Sequence, residues 1–247
     1  MSHVLSADYT VGAGETDCFG YCRASAVLHF LQDAATRHAQ ELRVSREDLL
    51  EKYGAVWLLT KQWYNLSRPL RSREDFTVQT WPRAPQGPLY YRDFDILCAG
   101  ERVGQALSVW VVAEQATKKI LRPSSLPEIS AVNDPTRLRD RTLPKLGAAV
   151  QTEEAARREI RYSDLDINRH MNNVRYADLV CDALRLDTMP NCFVREMQIN
   201  NHAECRAGEC ISLACAPLEP GAYYVSGTGE KGEKRFDAKI MVDRMGL

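Results

Sequence analysis

Residues of buried type recur along this chain with two different periods. Val27, Leu31, Ala34, His38 and Leu42 follow one another at intervals of three and four, which predicts a helix with one buried stripe. Tyr176, Val180, Ala183 and Leu184 repeat that spacing and predict a second helix. Ser25, and Asn172 or Asn173, stand where N-caps are expected. After each helix the period falls to two. EDFTVQTWP (74–82), LYYRDFDIL and VGQALSVWVVA alternate in the first half, and ECISLACAP (209–217), AYYVSG and KRFDAKIMV in the second. These segments predict antiparallel strands, with turns at CAGER and GTGEKGEK.

The two halves read as copies. Setting Asp17 on Asp166, an offset of 149, also pairs Glu15 with Asp164, Leu31 with Val180, Asp33 with Asp182 and Ala34 with Ala183. In the strands the offset is 135, pairing Glu74 with Glu209, Phe76 with Ile211, Val78 with Leu213 and Pro82 with Pro217. The first copy therefore holds 14 extra residues between helix and sheet, roughly RVSREDLLEKYGAV, with a helical look. Pro123, Pro127, Pro135 and Pro144 crowd the stretch between the copies, which reads as a semi-rigid linker. The expected fold class is α+β: a long helix wrapped by an antiparallel sheet, repeated in tandem, the architecture called a double hotdog. We place the copies at 1–125 and 155–247 and the linker at 126–154. The first copy is expected to shape a pocket and the second to carry the chemistry.

Composition narrows the classes. A 247-residue chain that is 45% hydrophobic and 26% charged has enough apolar surface to fold. Its 32 Lys+Arg against 33 Asp+Glu argue against a protein built to coat nucleic acid or an anionic membrane. No segment reaches the ~18 apolar residues of a membrane span. The N-terminal stretch MSHVLSADYTVGAGETD lacks the pattern of a secretory or transit signal, so a cytoplasmic chain is expected. Eight cysteines without a C-x-x-C pair read as free thiols. The C-x4-C-x4-C run from Cys205 to Cys215 lies in strand-like sequence that would turn its thiols to alternating faces, so no metal is expected.

The candidate chemistry concentrates at Asp166-Ile167-Asn168-Arg169-His170-Met171-Asn172-Asn173. An irregular segment entering a helix offers backbone N–H groups and a partial positive charge to a developing oxyanion. An unperturbed imidazole titrates near ~6.5, so His170 can take a proton from water at neutral pH. Asn168 supplies an amide to orient a carbonyl, and Asp166 can hold a partner in register. Asn172 and Asn173 serve either chemistry or helix capping. The repeat supplies a control: the first copy has Phe19 where the second has Asn168, and Tyr21 where it has His170, while Asp17 matches Asp166. Glu204, a second proton acceptor or water holder, stands opposite Pro69. Cys205 reads either as a thiol nucleophile or as a half-buried strand thiol.

The pattern D-x-N-x-H-x-N-N, followed by E-C about 35 residues later and preceded by TWPRAPQGPLYYRDFDIL, resembles the acyl-acyl carrier protein thioesterases of bacteria and plant plastids. The resemblance runs from Tyr9 to about Asp243, and its specific parts are TW-P at 80–82, RDF at 92–94 and the Asn168/His170 motif. INNHAEC departs from the plant members, which tend to carry a more basic run there. The resemblance implies a catalytic second half with Asp166, Asn168, His170 and Glu204, and a first half that sets acyl-chain choice. Cys205 matches a cysteine whose role as nucleophile in that family is disputed. Hydrolysis of fatty acyl thioesters on acyl carrier protein is implied, with no metal or organic cofactor. Two alternatives use the same scaffold, an acyl-CoA thioesterase and a hotdog hydratase. A third, a non-catalytic acyl-binding regulator, has no reason to place His170, Asn168 and Glu204 in one half only. Leu28, Trp57, Leu59 and Trp63 are expected around the chain pocket, and a homodimer is left open. Acyl carrier proteins are strongly acidic, so Arg137, Arg139, Arg141 and Lys145, with Arg157 and Arg158, are expected to form the docking patch.

Overall fold

Both predicted helices form in the computed structural model, which describes residues 3–134, 137, 139–147 and 151–245. Pro135 of the predicted linker lies outside the described residues. The first copy runs β1 (Leu5–Thr10), α1 (Ala24–Glu41), α2 (Arg46–Tyr53), β2 (Ala55–Leu66), β3 (Asp75–Pro82), β4 (Tyr90–Cys98) and β5 (Glu101–Glu114). After a short α3 (Pro127–Ser130), the second runs β6 (Glu153–Glu159), α4 (Arg175–Ala183), β7 (Cys192–Asn201), β8 (Cys210–Glu219), β9 (Ala222–Thr228) and β10 (Lys234–Arg244). The alternating segments became β3, β4, β5, β8, β9 and β10, while β1, β2, β6 and β7 were not predicted.

The helices differ from expectation at their starts and in length. Ser25 does not cap α1. The carbonyl of Arg23 accepts the first helical bonds, from the N–H groups of Ala26 and Val27, and Ser25 is buried inside the first turn. α4 has nine residues against eighteen in α1, because the chain turns left-handed at Arg185 (φ 51°) just past it. The 14 extra residues of the first copy contain α2, closed by a Ser45/Asp48 capping box at one end and Gly54 (φ 57°) at the other.

The chain divides into two compact units, each assembled from separate stretches. The first comprises Met1–Thr10, Phe30–Gln62 and Asp75–Thr142. Its strands run in the order β1-β3-β4-β5 with the first part of β2, and β1/β3, β3/β4 and β4/β5 are antiparallel. Tyr9, Phe30 and Phe76 stack at one end, with ring centroids 5.0–5.7 Å apart. Leu42, Val44, Leu49, Tyr90, Val112, Leu126 and Ile129 fill a neighbouring core. The second unit comprises Val11–His29, Trp63–Glu74 and Leu143–Leu247. The end of β2 lies beside β7, followed by β10, β9, β8 and β6. Tyr176 of α4 packs edge-on against Phe236 of β10 at 5.1 Å. Of the residues expected around the chain pocket, Trp57 and Leu59 fall in the first unit and Leu28 and Trp63 in the second.

One face of β4 explains how the linker is held and engages two arginines of the expected docking patch. Asp93 is buried and holds Arg83 by two hydrogen bonds, from Nε and, at 2.6 Å, from Nη2. Arg83 Nη1 donates to the carbonyl of Arg141 at 2.8 Å. Next on the same face, Asp95 takes both its bonds from Arg139 Nη2, at 2.9 Å each. Arg137 and Arg139 both lie over the indole of Trp81 at 4.8 Å, and Arg137 also donates to Gln79. Arg137 and Arg139, two of the residues expected to form the docking patch, thus fasten the linker to the first unit's sheet. Arg158 is likewise taken by Asp164 at 2.5 Å, and Arg157 by Glu154 at 2.8 Å.

Candidate active site

Every residue of the Asp166–Asn173 segment, together with Glu204 and Cys205, lies in the second unit, and so do their counterparts in the first copy. The two copies use the same backbone bonds. In the second, Asp166 N–H donates to His170 O (2.9 Å), Met171 N–H to Cys205 O (2.8 Å) and Asn172 N–H to Asp164 O (2.8 Å). In the first, Asp17 N–H donates to Tyr21 O (2.8 Å), Cys22 N–H to Leu70 O (2.8 Å) and Arg23 N–H to Glu15 O (2.9 Å). A left-handed residue sits at the same point of each turn, Gly20 (φ 80°) and Arg169 (φ 61°). Both aspartates hold their turns in the same way. Asp17 Oδ1 accepts from Phe19 and Tyr21 N–H, each at 2.9 Å, and Asp166 Oδ1 from Asn168 (2.8 Å) and His170 (3.4 Å) N–H.

On this shared frame the side chains diverge. Tyr21 donates its hydroxyl to Asn191 Oδ1 at 2.9 Å and lays its ring edge-on to Phe193. His170 instead points its Nε2 at Glu204 Oε2, 3.2 Å away, with both side chains partly open to solvent (20% and 37%). A neutral imidazole donates from Nε2 to that carboxylate, leaving Nδ1 as an acceptor. Asn168, two residues before His170 on the same turn, is exposed, and its amide Nδ2 donates to Asp166 Oδ2 at 3.3 Å. The structure thus pairs His170 with Glu204 and Asn168 with Asp166, and Asp166 joins the two pairs through the His170 N–H.

Asn172 is a cap. Its Oδ1 accepts from Val174 N–H (3.2 Å) and its carbonyl from Arg175 N–H (2.9 Å), so these two donors at the start of α4 are already engaged. Asn173 Oδ1 accepts from Asn201 Nδ2 at 3.4 Å, tying the helix entrance to the end of β7. Cys205 is fully buried. Burial pushes its thiol pKa up, against smaller opposing effects of the Tyr176 hydroxyl and the Arg235 guanidinium.

Arg235 on β10 is a residue the sequence reading missed. Its Nη1 donates to the carbonyl of Glu204 at 2.7 Å, while Nη2 binds Glu209 (3.0 Å) and Glu233 (2.8 Å). The first copy braces the equivalent carbonyl, that of Pro69, with Arg68 (3.1 Å), which in turn binds Glu74 at 2.5 Å. Glu74 is the counterpart of Glu209, but the arginine arrives from a different strand position. Only that pairing of Glu74 with Glu209 was visible in the repeat.

Sequence comparison now bears on this frame. The profile of the acyl-ACP thioesterase N-terminal domain matches residues 2–130, and that of the C-terminal domain matches residues 147–243. The chain belongs to the acyl-ACP thioesterase family. A chloroplastic palmitoyl-acyl carrier protein thioesterase of Cuphea hookeriana is 26% identical over 234 residues, 87% of this chain and 54% of that protein. A chloroplastic oleoyl-acyl carrier protein thioesterase of Arabidopsis thaliana is 22% identical over 243 residues, 91% of this chain and 64% of that one. The chain thus spans between about half and two thirds of the length of these curated relatives. Among solved structures, an acyl-ACP thioesterase from Bacteroides thetaiotaomicron superposes with a TM-score of 0.84 at 22% identity, covering 98% of this chain and all of that one. The 12:0-ACP thioesterase of Umbellularia californica gives 0.84 at 16% identity, covering 99% of both chains. The double hotdog expected from the repeat is the fold of this family member. No helix among the described residues is long and apolar enough to cross a membrane.

Proposed function

We propose that this chain hydrolyses fatty acyl thioesters on acyl carrier protein, giving a free fatty acid and the carrier's free thiol. The observation that carries this reading is the His170–Glu204 contact, set on a turn whose first-copy twin bears Tyr21 and Pro69. A fold requirement would place similar side chains on both turns. The proton-accepting pair stands on one of them.

In this reading the acyl carbonyl sits against Asn168, whose Nδ2 donates to the developing oxyanion. Water is held and deprotonated by the His170–Glu204 pair as it attacks the carbonyl carbon. The C–S bond breaks and the proton passes to the leaving thiolate. Asp166 is a positioning residue: it fixes the turn by its bonds to Asn168 and His170 and has the same task as Asp17 in the copy that lacks the pair. An amide donor to an oxyanion is worth ~10²–10³ in rate and a general base ~10²–10⁴. The first copy supplies the acyl-chain pocket, and the copies fall at 1–125 and 155–247 around a linker at 126–154.

Water is the nucleophile in this proposal. A buried thiol with a raised pKa is a poor nucleophile, and Cys205 also lends its carbonyl to Met171. Cys205→Ser is expected to keep at least a tenth of the activity, and mass spectrometry of enzyme quenched during turnover is expected to find no acyl adduct; an acyl group trapped on Cys205 overturns the direct-water route. The function itself is tested by incubation with a panel of acyl-carrier, acyl-CoA and acyl-pantetheine thioesters, reading released thiol and fatty acid. Preferential release from the carrier is expected. Equal or faster turnover of acyl-CoA would select the acyl-CoA thioesterase, and hydration of an enoyl thioester without thiol release the hydratase.

A further inference from the structure

We propose that an exposed rim beside the His170–Glu204 pair, made by Tyr162, Ile167, Arg169 and Arg206, is the docking surface for an acidic protein, the acyl carrier protein of the reaction proposed above; the choice of partner rests on that reading. Tyr162 is 92% and Ile167 85% exposed, far beyond Ile120 and Leu218, the other large apolar side chains standing in solvent among the described residues. A single exposed apolar side chain needs no explanation. Here two stand five residues apart, on the segment that also carries Asn168 and His170. Arg206 faces His170 across an isolated antiparallel bridge, which brings a guanidinium-bearing position to the same place.

The internal repeat separates function from fold again. At the equivalent backbone positions the first copy has Ala13, Cys18 and Gly20 for Tyr162, Ile167 and Arg169. The turn is therefore built without large side chains at these points. Arg206 corresponds to Arg71, whose guanidinium lies 5.4 Å from the Tyr21 ring and is thus engaged within the chain. Among the described residues Arg206 has no such aromatic neighbour, and His170 stands in place of that tyrosine. Arg169 holds a left-handed conformation (φ 61°) that glycine adopts in the first copy and that a side chain makes unfavourable. A cation at a strained, exposed position, with no side-chain partner among the described residues, is suited to binding something outside the chain.

Charge selects the occupant. Among the described residues neither the Arg169 nor the Arg206 guanidinium has a carboxylate partner, although Glu209 accepts the Arg206 backbone N–H at 3.2 Å, whereas the Arg161 guanidinium is paired with Glu159 at 2.7 Å. The acidic groups at the rim are engaged within the chain, Asp166 with its own turn, Glu204 with His170, and Glu209 with the Arg206 N–H and the Arg235 guanidinium. The rim therefore presents exposed Tyr162 and Ile167 together with two guanidinium groups that have no carboxylate partner among the described residues, complementary to an acidic partner that brings its cargo to the adjacent site. A second copy of this chain would set like charges against each other and is the competing occupant.

The test uses the full chain with Tyr162→Ala/Arg206→Glu, whose altered side chains stand in solvent, and separately Arg169→Gly, which restores the first copy's residue. Binding of carrier protein without an acyl group is measured by titration calorimetry, turnover on acyl-carrier and acyl-pantetheine by thiol release, and mass in solution by sedimentation. The double variant is expected to weaken carrier binding and raise the KM for acyl-carrier by at least about tenfold with kcat kept, to flatten the salt dependence, and to leave acyl-pantetheine turnover unchanged. Arg169→Gly is expected to weaken carrier binding while melting no lower than the wild type. Unchanged carrier binding, equal losses on both substrates, or a change in mass with carrier binding intact overturns the rim. Carrier binding that depends on the rim in a protein that cleaves no thioester would instead refute the hydrolase reading and leave the rim standing.

Discussion

His170→Ala is expected to lower kcat on an acyl thioester by about 10²–10⁴-fold, the range associated with loss of a positioned general base. Its melting temperature should stay close to that of the wild type, because the turn is held by backbone bonds and by Asp166 rather than by the imidazole. Glu204→Gln keeps the shape but removes the acceptor, and its loss should not add to that of His170→Ala if the two act as one unit. Tyr21→Ala, at the matching position, should leave the chemical step alone and lower stability through the lost Asn191 bond and Phe193 contact. Steady-state kinetics with thermal melts decide the matter. Near-normal turnover by His170→Ala would remove the imidazole from the mechanism.

The largest expected effect on stability belongs to the first unit. Asp93→Ala leaves the Arg83 guanidinium buried without its counter-charge, a change that typically costs about 3–5 kcal/mol. For a chain of this size that corresponds to a fall of roughly 10 °C in melting temperature. The loss should reach the linker too, since Arg83 also holds the carbonyl of Arg141. Replacing both partners by apolar residues of similar volume should be much less harmful, because no orphan charge remains. Calorimetric melts of the two variants check this; a double variant as unstable as Asp93→Ala would show that packing, not charge, dominates there.

These residues also show how the sequence was legible and where it was not. The helical stripes and six alternating strands could be read because one face of each is apolar. β6, EEAARRE, has no such face: it is a charged strand at the end of the second unit's strand order, where charge discourages further pairing, and periodicity has nothing to detect. β2 carries a nearly continuous apolar run, AVWLL, that has no period of two. The resemblance motifs at Trp81 and Asp93 marked the family correctly but serve the fold, as an indole under two arginines and a buried counter-ion. The linker arginines were misread because their partners stand 44 and 58 residues away along the chain. At the candidate site, residues on one continuous segment were visible together, and Glu204 was found through the repeat. Arg235 escaped because its counterpart, Arg68, enters from elsewhere.

The second unit draws its first piece from residues 11–29 and its last strand from Lys234–Arg244. A ribosome adding about 5–20 residues each second reaches β10 roughly 10–40 s after that first piece has been made. For most of this interval Tyr21, buried in the finished protein, must wait without Asn191 and Phe193, to which it bonds and packs. The nascent chain is therefore expected to be a client of holding chaperones, and a cut in the linker before synthesis is complete would leave two fragments, neither holding all the residues of the catalytic unit.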